Sequence, residues 1–507
     1  MSTEIKQNSI MKVIGASSLG TLIEWYDFYI FGSLALIIGK QLFPSDAGAS
    51  ALINTLAIFA AGFIVRPFGA LVFGRLGDLI GRKYTFLLTL VLMGGSTFLI
   101  GLIPSYEKIG YAAPVLVLIL RLIQGLALGG EYGGAATYVA EHAPPNRRGF
   151  YTSWIQTTAT LGLFLSLGVI VLTKNLLGNE AFASWGWRIP FLISILLVVV
   201  SIYIRMKMHE SPQFSKLKAE GNVSKNPLKE SFSKKGNFKM VLLALFGATM
   251  GQGVIWYTGQ FYAQSFIENT CKVEFNDSRY ILLIAIALAT PFFVIFGSWS
   301  DRVGRKWIML TGMLLGILFY RPIYQKFMDS TNYAEFQKTE LKTAAEPVVV
   351  SELVKTTGDS LTTTTVAKTL NDGSAYKEVT TRTVFKDGKA PVETVAQIDK
   401  KLGSGTFWTF VGLVFFQVLL VTMVYGPIAA FLVELFPTKI RYTSMSLPYH
   451  IGNGVFGGLV PFIATLIVSF QGSTPLSGLW YPIGVAALSF VIGVVYLNNK
   501  RDENIAD

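Results

Sequence analysis

Two acidic residues interrupt the first long apolar segment of the chain, and they are its clearest candidates for proton chemistry. Glu24 and Asp27 lie one helical turn apart in Glu24-Trp-Tyr-Asp27-Phe, so they share a face of a helix. Two close carboxylates raise each other's affinity for protons, and desolvation raises it further. We therefore expect at least one of them to carry a proton. The alternative is that they bond to neighbouring helices or pair with Arg66 or Arg121.

Arg121 follows in a later apolar segment, with Gln124 one turn on. The planar guanidinium fork suits a carboxylate better than a neutral hydroxylated solute. This favours an organic anion or zwitterion as the ligand, whereas the alternative is a structural ion pair with Glu24, Asp27 or Glu131. Six further polar or aromatic side chains are candidates for lining a solute cavity together with Arg121: Gln252, Tyr257, Tyr425, Tyr449, His450 and Asn453.

His450 is the acid–base group near the interior of the eleventh apolar segment that titrates near neutrality. The apolar segments of the C-terminal half otherwise offer no buried Asp or Glu. Proton coupling is therefore expected in the N-terminal half. A packing role for His450, through a hydrogen bond, is an equally good interpretation.

The composition of the chain indicates a membrane protein. The 507 residues are 51% hydrophobic and 15% charged, whereas charged residues make up about a quarter of soluble proteins. Roughly 20 apolar residues suffice to cross a bilayer. The sequence predicts twelve helices near 17–39, 51–74, 84–103, 113–137, 150–172, 187–206, 239–267, 279–299, 307–325, 405–433, 443–470 and 479–498.

Lys and Arg concentrate in the short loops on one side of this arrangement. The positive-inside tendency then places both termini in the cytoplasm of a bacterial cell, in its inner membrane. The net charge of +12 is explained by this bias and by anionic lipid, and does not indicate nucleic-acid binding. The single cysteine, Cys271, falls in an outer loop and cannot form an intramolecular disulfide.

The chain contains two internal repeats. Gly74-x-x-x-Asp78-x-x-Gly-Arg82-Lys after the second helix matches Gly297-x-x-x-Asp301-x-x-Gly-Arg305-Lys after the eighth. In each, the aspartate can cap a helix and pair with loop cations while the glycines let helices approach, which would close the inner side of a cavity. The alternative is that these loops set topology alone. The second repeat is Glu141-x-x-Pro-x-x-x-Arg148 and Glu434-x-x-Pro-x-x-x-Arg441.

The repeats divide the chain into a six-helix bundle over 1–206, a basic linker over 207–238 and a second six-helix bundle over 239–507. Residues 328–404 form an insertion between helices nine and ten. Alternating β-branched residues around Asp-Gly turns predict β-hairpins there, on the outer side. A disordered loop is the alternative.

These motifs resemble the major facilitator superfamily, in which the Gly-Asp-Gly-Arg loop recurs after helices two and eight. The segments around Glu24 and Asp27, Arg66-Pro-Phe-Gly, Trp187-Arg-Ile-Pro and Glu210-Ser-Pro-x-Phe look more narrowly like the metabolite:proton symporter family. The resemblance implies alternating access around a midplane site and transport of carboxylates or zwitterions. It covers nearly the whole chain except the insertion, which the family lacks.

We therefore expect a proton-coupled symporter of a small organic solute, acting as a monomer with no cofactor and no metal. A sugar-type proton symporter is one alternative, and a membrane sensor that binds a partner through the insertion is another. An enzyme is not expected, because the sequence contains no nucleophile constellation, metal-ligand cluster or nucleotide-binding loop.

Overall fold

The structure is a computed structural model that describes residues 2–44, 49–206, 210–332, 338–353, 360–386 and 390–499. Eleven helices in these ranges are long and apolar enough to cross a membrane. The helix that precedes them, Ser2–Leu42, contains the predicted first crossing. It packs against the helices Ala49–Ile64, Ala112–His142 and Arg148–Leu177. The protein is thus the predicted all-α membrane bundle, with one small β-sheet.

The N-terminal half contains helices α1 to α6. Its second helix was expected to be continuous over 51–74, but it is broken at Val65 and extends to Ile80. Pro67 explains the break, because proline has no N–H to donate and favours the first turn of a new helix. The bounds are α1 Ser2–Leu42, α2 Ala49–Ile64 with Arg66–Ile80, α3 Arg82–Ile100, α4 Ala112–His142, α5 Arg148–Leu177 and α6 Ile189–Met206.

The C-terminal half contains α7 to α12, and two of its helices have π-helical turns. These turns lie at Leu245–Thr249, Thr258–Tyr262 and Phe266–Thr270 in α7 and at Ile451–Gly457 in α11. Such turns occur frequently at functional sites. The bounds are α7 Lys235–Thr270, α8 Phe275–Val303, α9 Arg305–Ser330, α10 Ser404–Tyr425 with Ile428–Leu435, α11 from Arg441–His450 to Val460–Ser469, and α12 Trp480–Tyr496.

The expectation that the C-terminal helices lack acids needs correction. The helices are longer than predicted, so they include Glu268, Asp277, Asp301, Asp329 and Glu434, but each of these lies near a helix end. The physical reason is that apolar length locates the centre of a crossing, whereas the helices continue into charged residues beyond it. The helix interiors remain free of acids in the described part of this half.

The two halves meet along two helix pairs, α2 with α11 and α5 with α8. We call the end of the bundle with the linker helices Pro212–Ala219 and Pro227–Ser233 the linker end, and the opposite end the sheet end. Both linker helices begin with proline and are capped by a side chain, Ser211 or Asn226, as such starts require. The linker is therefore helical in part.

The predicted β-hairpins are confirmed as a five-stranded antiparallel sheet. Its order is β1-β3-β4-β5, with β2 also paired to β3. The β3–β4 turn uses Gly373 at φ +82, a conformation that favours glycine. The strands are β1 Leu341–Ala344, β2 Val348–Leu353, β3 Ser360–Leu370, β4 Ala375–Val384 and β5 Val392–Lys401.

The end of β5 fastens the sheet to the C-terminal half. The Lys400 carbonyl accepts from Glu274 N at 2.8 Å, and the Lys400 amide donates to Lys272 O at 2.8 Å. Lys400 Nζ donates to Thr331 O at 2.6 Å. Cys271 is buried beside this contact, and burial raises the pKa of its thiol to about 11. The thiol is thus protonated at neutral pH.

Candidate functional site

Asp27 and Arg121 form a buried ion pair between α1 and α4. Asp27 Oδ2 lies 2.9 Å from Arg121 Nη1, and the two side chains are 2% and 5% exposed. Arg121 Nη1 also donates to Gln124 Oε1 at 2.5 Å, and Gln124 in turn donates to Thr97 at 2.7 Å. The guanidinium lies 3.6 Å from the ring centroid of Phe31. Arg121 is therefore fixed on three sides.

The pair leaves hydrogen-bonding capacity unused. Asp27 Oδ1 and Arg121 Nε and Nη2 are buried and make no hydrogen bond within the described residues. A buried charge without its full set of hydrogen-bond partners is costly in free energy, so this arrangement of the pair carries an energetic penalty. Protonation of Asp27 would remove the charge that holds Arg121 in place.

Glu24 and Arg66 form a second, looser pair beside the first. Glu24 Oε1 lies 3.5 Å from Arg66 Nη1, and Arg66 extends over the Phe63 ring at 4.4 Å. Both arginines line one crevice of about 10 Å³, together with Asp27. Of the alternatives open at the sequence level, the structure contains the ion pairs, one arginine for each carboxylate.

Glycines in α4 bring these arginines together. Added Cβ atoms at Gly125 and Gly129 would collide with the carbonyl oxygens of Gly62 and Arg66. These glycines therefore allow close packing, which places α4 directly against the break in α2. On the same helix, Glu131 is fully buried and accepts from Thr89 at 3.0 Å.

The candidate residues of the C-terminal half bond mostly to one another. Gln252 and Asn453 exchange two amide hydrogen bonds, at 3.0 and 2.8 Å. The hydroxyls of Tyr425 and Tyr449 lie 2.6 Å apart, and the Tyr449 ring stacks on Tyr132 of α4 at a centroid distance of 3.7 Å. The predicted residues therefore do face the N-terminal half, through an aromatic contact.

His450 and Tyr257 lie near the same contact. His450 is 2% exposed and contacts the backbone of Gly129. Its Nε2 makes no hydrogen bond within the described residues. Tyr257 is buried in α7, and its ring lies 6.5 Å from that of Phe63 of α2. Both are close enough to Arg66 to interact with its charge.

An aromatic cavity lies between the halves, nearer the sheet end. Its volume is about 180 Å³, and α1, α2, α5, α7 and α8 contribute its lining. The rings of Phe28, Tyr29, Phe59 and Phe261 lie on its wall, and Arg279 is its charged member. Trp25 and Trp256 pack across the halves beside it, with centroids 4.9 Å apart.

At the linker end, each repeated aspartate caps a helix of the other half. Asp78 Oδ2 accepts from Thr443 N at 2.9 Å, in the first turn of α11. Asp301 accepts from Gly149 N and Phe150 N, both at 2.8 Å, in the first turn of α5. A carboxylate at a helix N-terminus is favoured by the unpaired N–H groups and the helix dipole.

The rest of each repeat supports these caps. Arg82 lies 3.3 Å from Asp78, and Arg305 lies 2.6 Å from Asp301. A Cβ at Gly74 would come within 3.0 Å of Thr443 Cα, and one at Gly297 within 2.6 Å of the Gly149 carbonyl oxygen. The glycines therefore permit the close approach on which both caps depend.

Comparison with known proteins agrees with this architecture. A family model described as "Sugar (and other) transporter" matches residues 12–230. The inner membrane metabolite transport protein YhjE of Escherichia coli (strain K12) is 31% identical over 470 residues, covering 92% of this chain and 89% of that protein. The chain belongs to the major facilitator superfamily.

Other relatives of this transporter differ in what they are named for. The alpha-ketoglutarate permease of Escherichia coli (strain K12) is 29% identical over 96% of this chain and 93% of its own. The proline/betaine transporter of the same strain is 37% identical over 64% of this chain and 66% of its own. The solved proton:xylose symporter XylE has a TM-score of 0.66 and 15% identity over 96% of this chain and 95% of its own, so it shares the fold.

Several residues of the transporter's charge networks were not predicted from the sequence. Glu141 lies 3.0 Å from Arg441 across the halves, and Glu434 binds Arg305 through two bonds at 3.2 and 2.8 Å. The second internal repeat was the signal that could have identified them. Arg66 was named in the sequence analysis only as a possible partner of Glu24 or Asp27, and its contact with Glu24 is present in the structure.

Proposed function

We propose that the protein is a proton-coupled symporter of a small carboxylate or zwitterion that works by alternating access. The observation that carries this proposal is the buried Asp27–Arg121 pair at 2.9 Å. A carboxylate in this setting binds and releases a proton with a change in its partner, which is what coupling requires. Glu24 is the second candidate for the proton.

The names of relatives support the solute class. One relative is an alpha-ketoglutarate permease and another a proline/betaine transporter, and all three solutes carry a carboxylate. We assign solute contacts to Arg121, Gln124 and the polar or aromatic residues around the inter-half contact, which are Gln252, Tyr257, Tyr425, Tyr449, His450 and Asn453. The aspartate caps, with Gly74, Arg82, Gly297 and Arg305, form the gate at the linker end.

A sugar is the second candidate solute, because the family model is that of sugar and other transporters and XylE carries xylose with protons. Arginines favour an anion over a neutral sugar. The linker end is assigned to the cytoplasm, together with both termini, and the sheet to the outer side of the inner membrane. The protein acts as a monomer of two bundles, over 1–206 and 239–507.

Uptake into proteoliposomes under an imposed pH gradient tests this proposal. The panel is labelled 2-oxoglutarate, proline, glycine betaine, xylose and glucose, with and without a protonophore. We expect concentrative uptake of an acid or zwitterion that collapses when the protonophore is added. Uptake of a sugar but no acid or zwitterion would refute the solute class, and uptake unaffected by the protonophore would refute the coupling.

A further inference from the structure

The two arginines of the crevice differ in how tightly their carboxylates hold them. Arg121 is bonded to Asp27 at 2.9 Å and to Gln124 and is stacked on Phe31, although its Nε and Nη2 make no hydrogen bond within the described residues. Within the described residues Arg66 has one long polar side-chain contact, 3.5 Å to Glu24 Oε1, at the outer limit of a hydrogen bond. Its Nε is buried and makes no hydrogen bond within the described residues. Arg66 therefore has a guanidinium edge available for a second anion.

Arg66 is the more exposed of the two arginines, and its charge interacts with residues of the C-terminal half. Its side chain is 13% exposed, against 5% for Arg121. Its charge acts on Tyr257 of α7 and His450 of α11, whose Nε2 is buried and unbonded within the described part. An anion on Arg66 would thus lie between the N-terminal half and the part of the C-terminal half that carries Tyr257 and His450, as a solute in an alternating-access carrier must.

We propose that Arg66 is the receptor for the solute carboxylate and that Glu24 is its internal competitor. The inference rests on the proposed function and assigns the carboxylate subsite within it. The Glu24 carboxylate occupies the place beside Arg66 that the solute carboxylate takes. Protonation of Glu24 weakens its hold on Arg66, and the solute then binds the freed guanidinium.

The charge balance makes the exchange obligatory. Arg66 with ionised Glu24 has no net charge, so the carboxylate of an anion, or of a zwitterion whose cationic group lies elsewhere in the cavity, would put a second negative charge beside one buried guanidinium, at high cost. When Glu24 takes up one proton, the solute carboxylate replaces it as the counter-ion, and neutrality is kept. On the other side the solute leaves, and Glu24 releases its proton and pairs with Arg66 again.

Other charged and titratable groups face Glu24 from the helices around it. Asp27 lies on the same helix, and Glu131 approaches from α4. Both carboxylates disfavour a negative charge on Glu24, whereas Arg66 favours it. Four phenols also face it: Tyr132, Tyr257, Tyr425 and Tyr449.

The test measures the apparent KM for exchange of the acid or zwitterion that the wild type transports, between pH 5.5 and 8.5. In the wild type we expect KM to rise with pH, because ionised Glu24 competes for Arg66. In Glu24→Gln we expect a low KM that no longer changes with pH. In Arg66→Gln and Arg66→Lys we expect KM to rise at least about tenfold, because a bidentate charge contact is lost.

Arg75→Gln is the matched control, because Arg75 is an exposed arginine on the same helix. It should keep the wild-type KM and its pH dependence. An Arg66→Gln protein with wild-type KM, or a Glu24→Gln protein whose KM still rises with pH, overturns the inference but leaves the proposed function standing. A wild type that moves none of the acids or zwitterions overturns both. The tryptophan fluorescence spectrum of detergent-purified protein without solute, compared with that of the wild type, checks that each variant is folded.

Discussion

At the scale of single residues, the chemistry rests on which arginine each carboxylate meets. The spacing of Glu24 and Asp27 in sequence correctly predicted a shared helix face. The sequence offered Arg66 and Arg121 as possible partners but not which carboxylate pairs with which, because the pairing depends on how α1, α2 and α4 pack in three dimensions. Nor did the sequence indicate that Asp27 would hold Arg121 at 2.9 Å while Glu24 lies 3.5 Å from Arg66.

The first residue-scale prediction concerns Arg121→Lys. A lysine ammonium keeps the charge but cannot bond Asp27 and Gln124 while stacking on Phe31, because it lacks the planar fork. We expect apparent affinity for the solute to fall roughly threefold to tenfold, a loss on the order of 1 kcal/mol. Uptake kinetics at fixed pH measure it. Wild-type affinity in this variant would mean that Arg121 is structural.

At the scale of elements, sequence reasoning identified the helices but not their irregularities. Apolar length marks a crossing, and Pro67 is a sequence signal for the break at Val65, whereas the π-helical turns of α7 and α11 depend on local backbone bonding. The hairpins of the insertion were predictable because β-branched residues alternate around Asp-Gly turns. The attachment of β5 to the loop between α7 and α8 was not, because the two segments are far apart in sequence.

The element-scale prediction concerns the two inter-half caps. Asp78→Asn and Asp301→Asn keep the side-chain size but weaken the charge-assisted bonds to Thr443 N and to Gly149 N and Phe150 N. Each cap contributes about 0.5–2 kcal/mol to the closed linker end. We expect transport to slow at least about threefold in each variant, with folded protein still in the membrane.

Initial uptake rates, normalised to the amount of protein in the membrane, measure this effect. Asp399→Asn is a suitable control, because Asp399 pairs with Lys377 on the exposed sheet, away from the linker end. Wild-type rates in both cap variants would rule out a gating role for the repeat.

At the scale of the whole molecule, the duplicated motifs correctly indicated two six-helix halves, and the structure adds how they meet. Asp78 of the N-terminal half caps α11, and Asp301 of the C-terminal half caps α5. The two contacts are therefore related by an approximate two-fold symmetry between the halves. The linker end is closed in this arrangement, and the aromatic cavity of about 180 Å³ lies nearer the sheet end. Such an arrangement is what one state of an alternating-access carrier requires.

The central claim is that a proton on α1 drives solute accumulation. Its most direct test compares wild type and Asp27→Asn in proteoliposomes, by accumulation under an imposed pH gradient and by solute exchange without one. Neutralising Asp27 removes one of the two α1 carboxylates proposed to gain and lose a proton, but exchange needs no deprotonation of Asp27. We predict that Asp27→Asn loses accumulation and retains exchange. If Asp27→Asn and Glu24→Gln, separately and together, still concentrate solute on a proton gradient alone, the claim is contradicted.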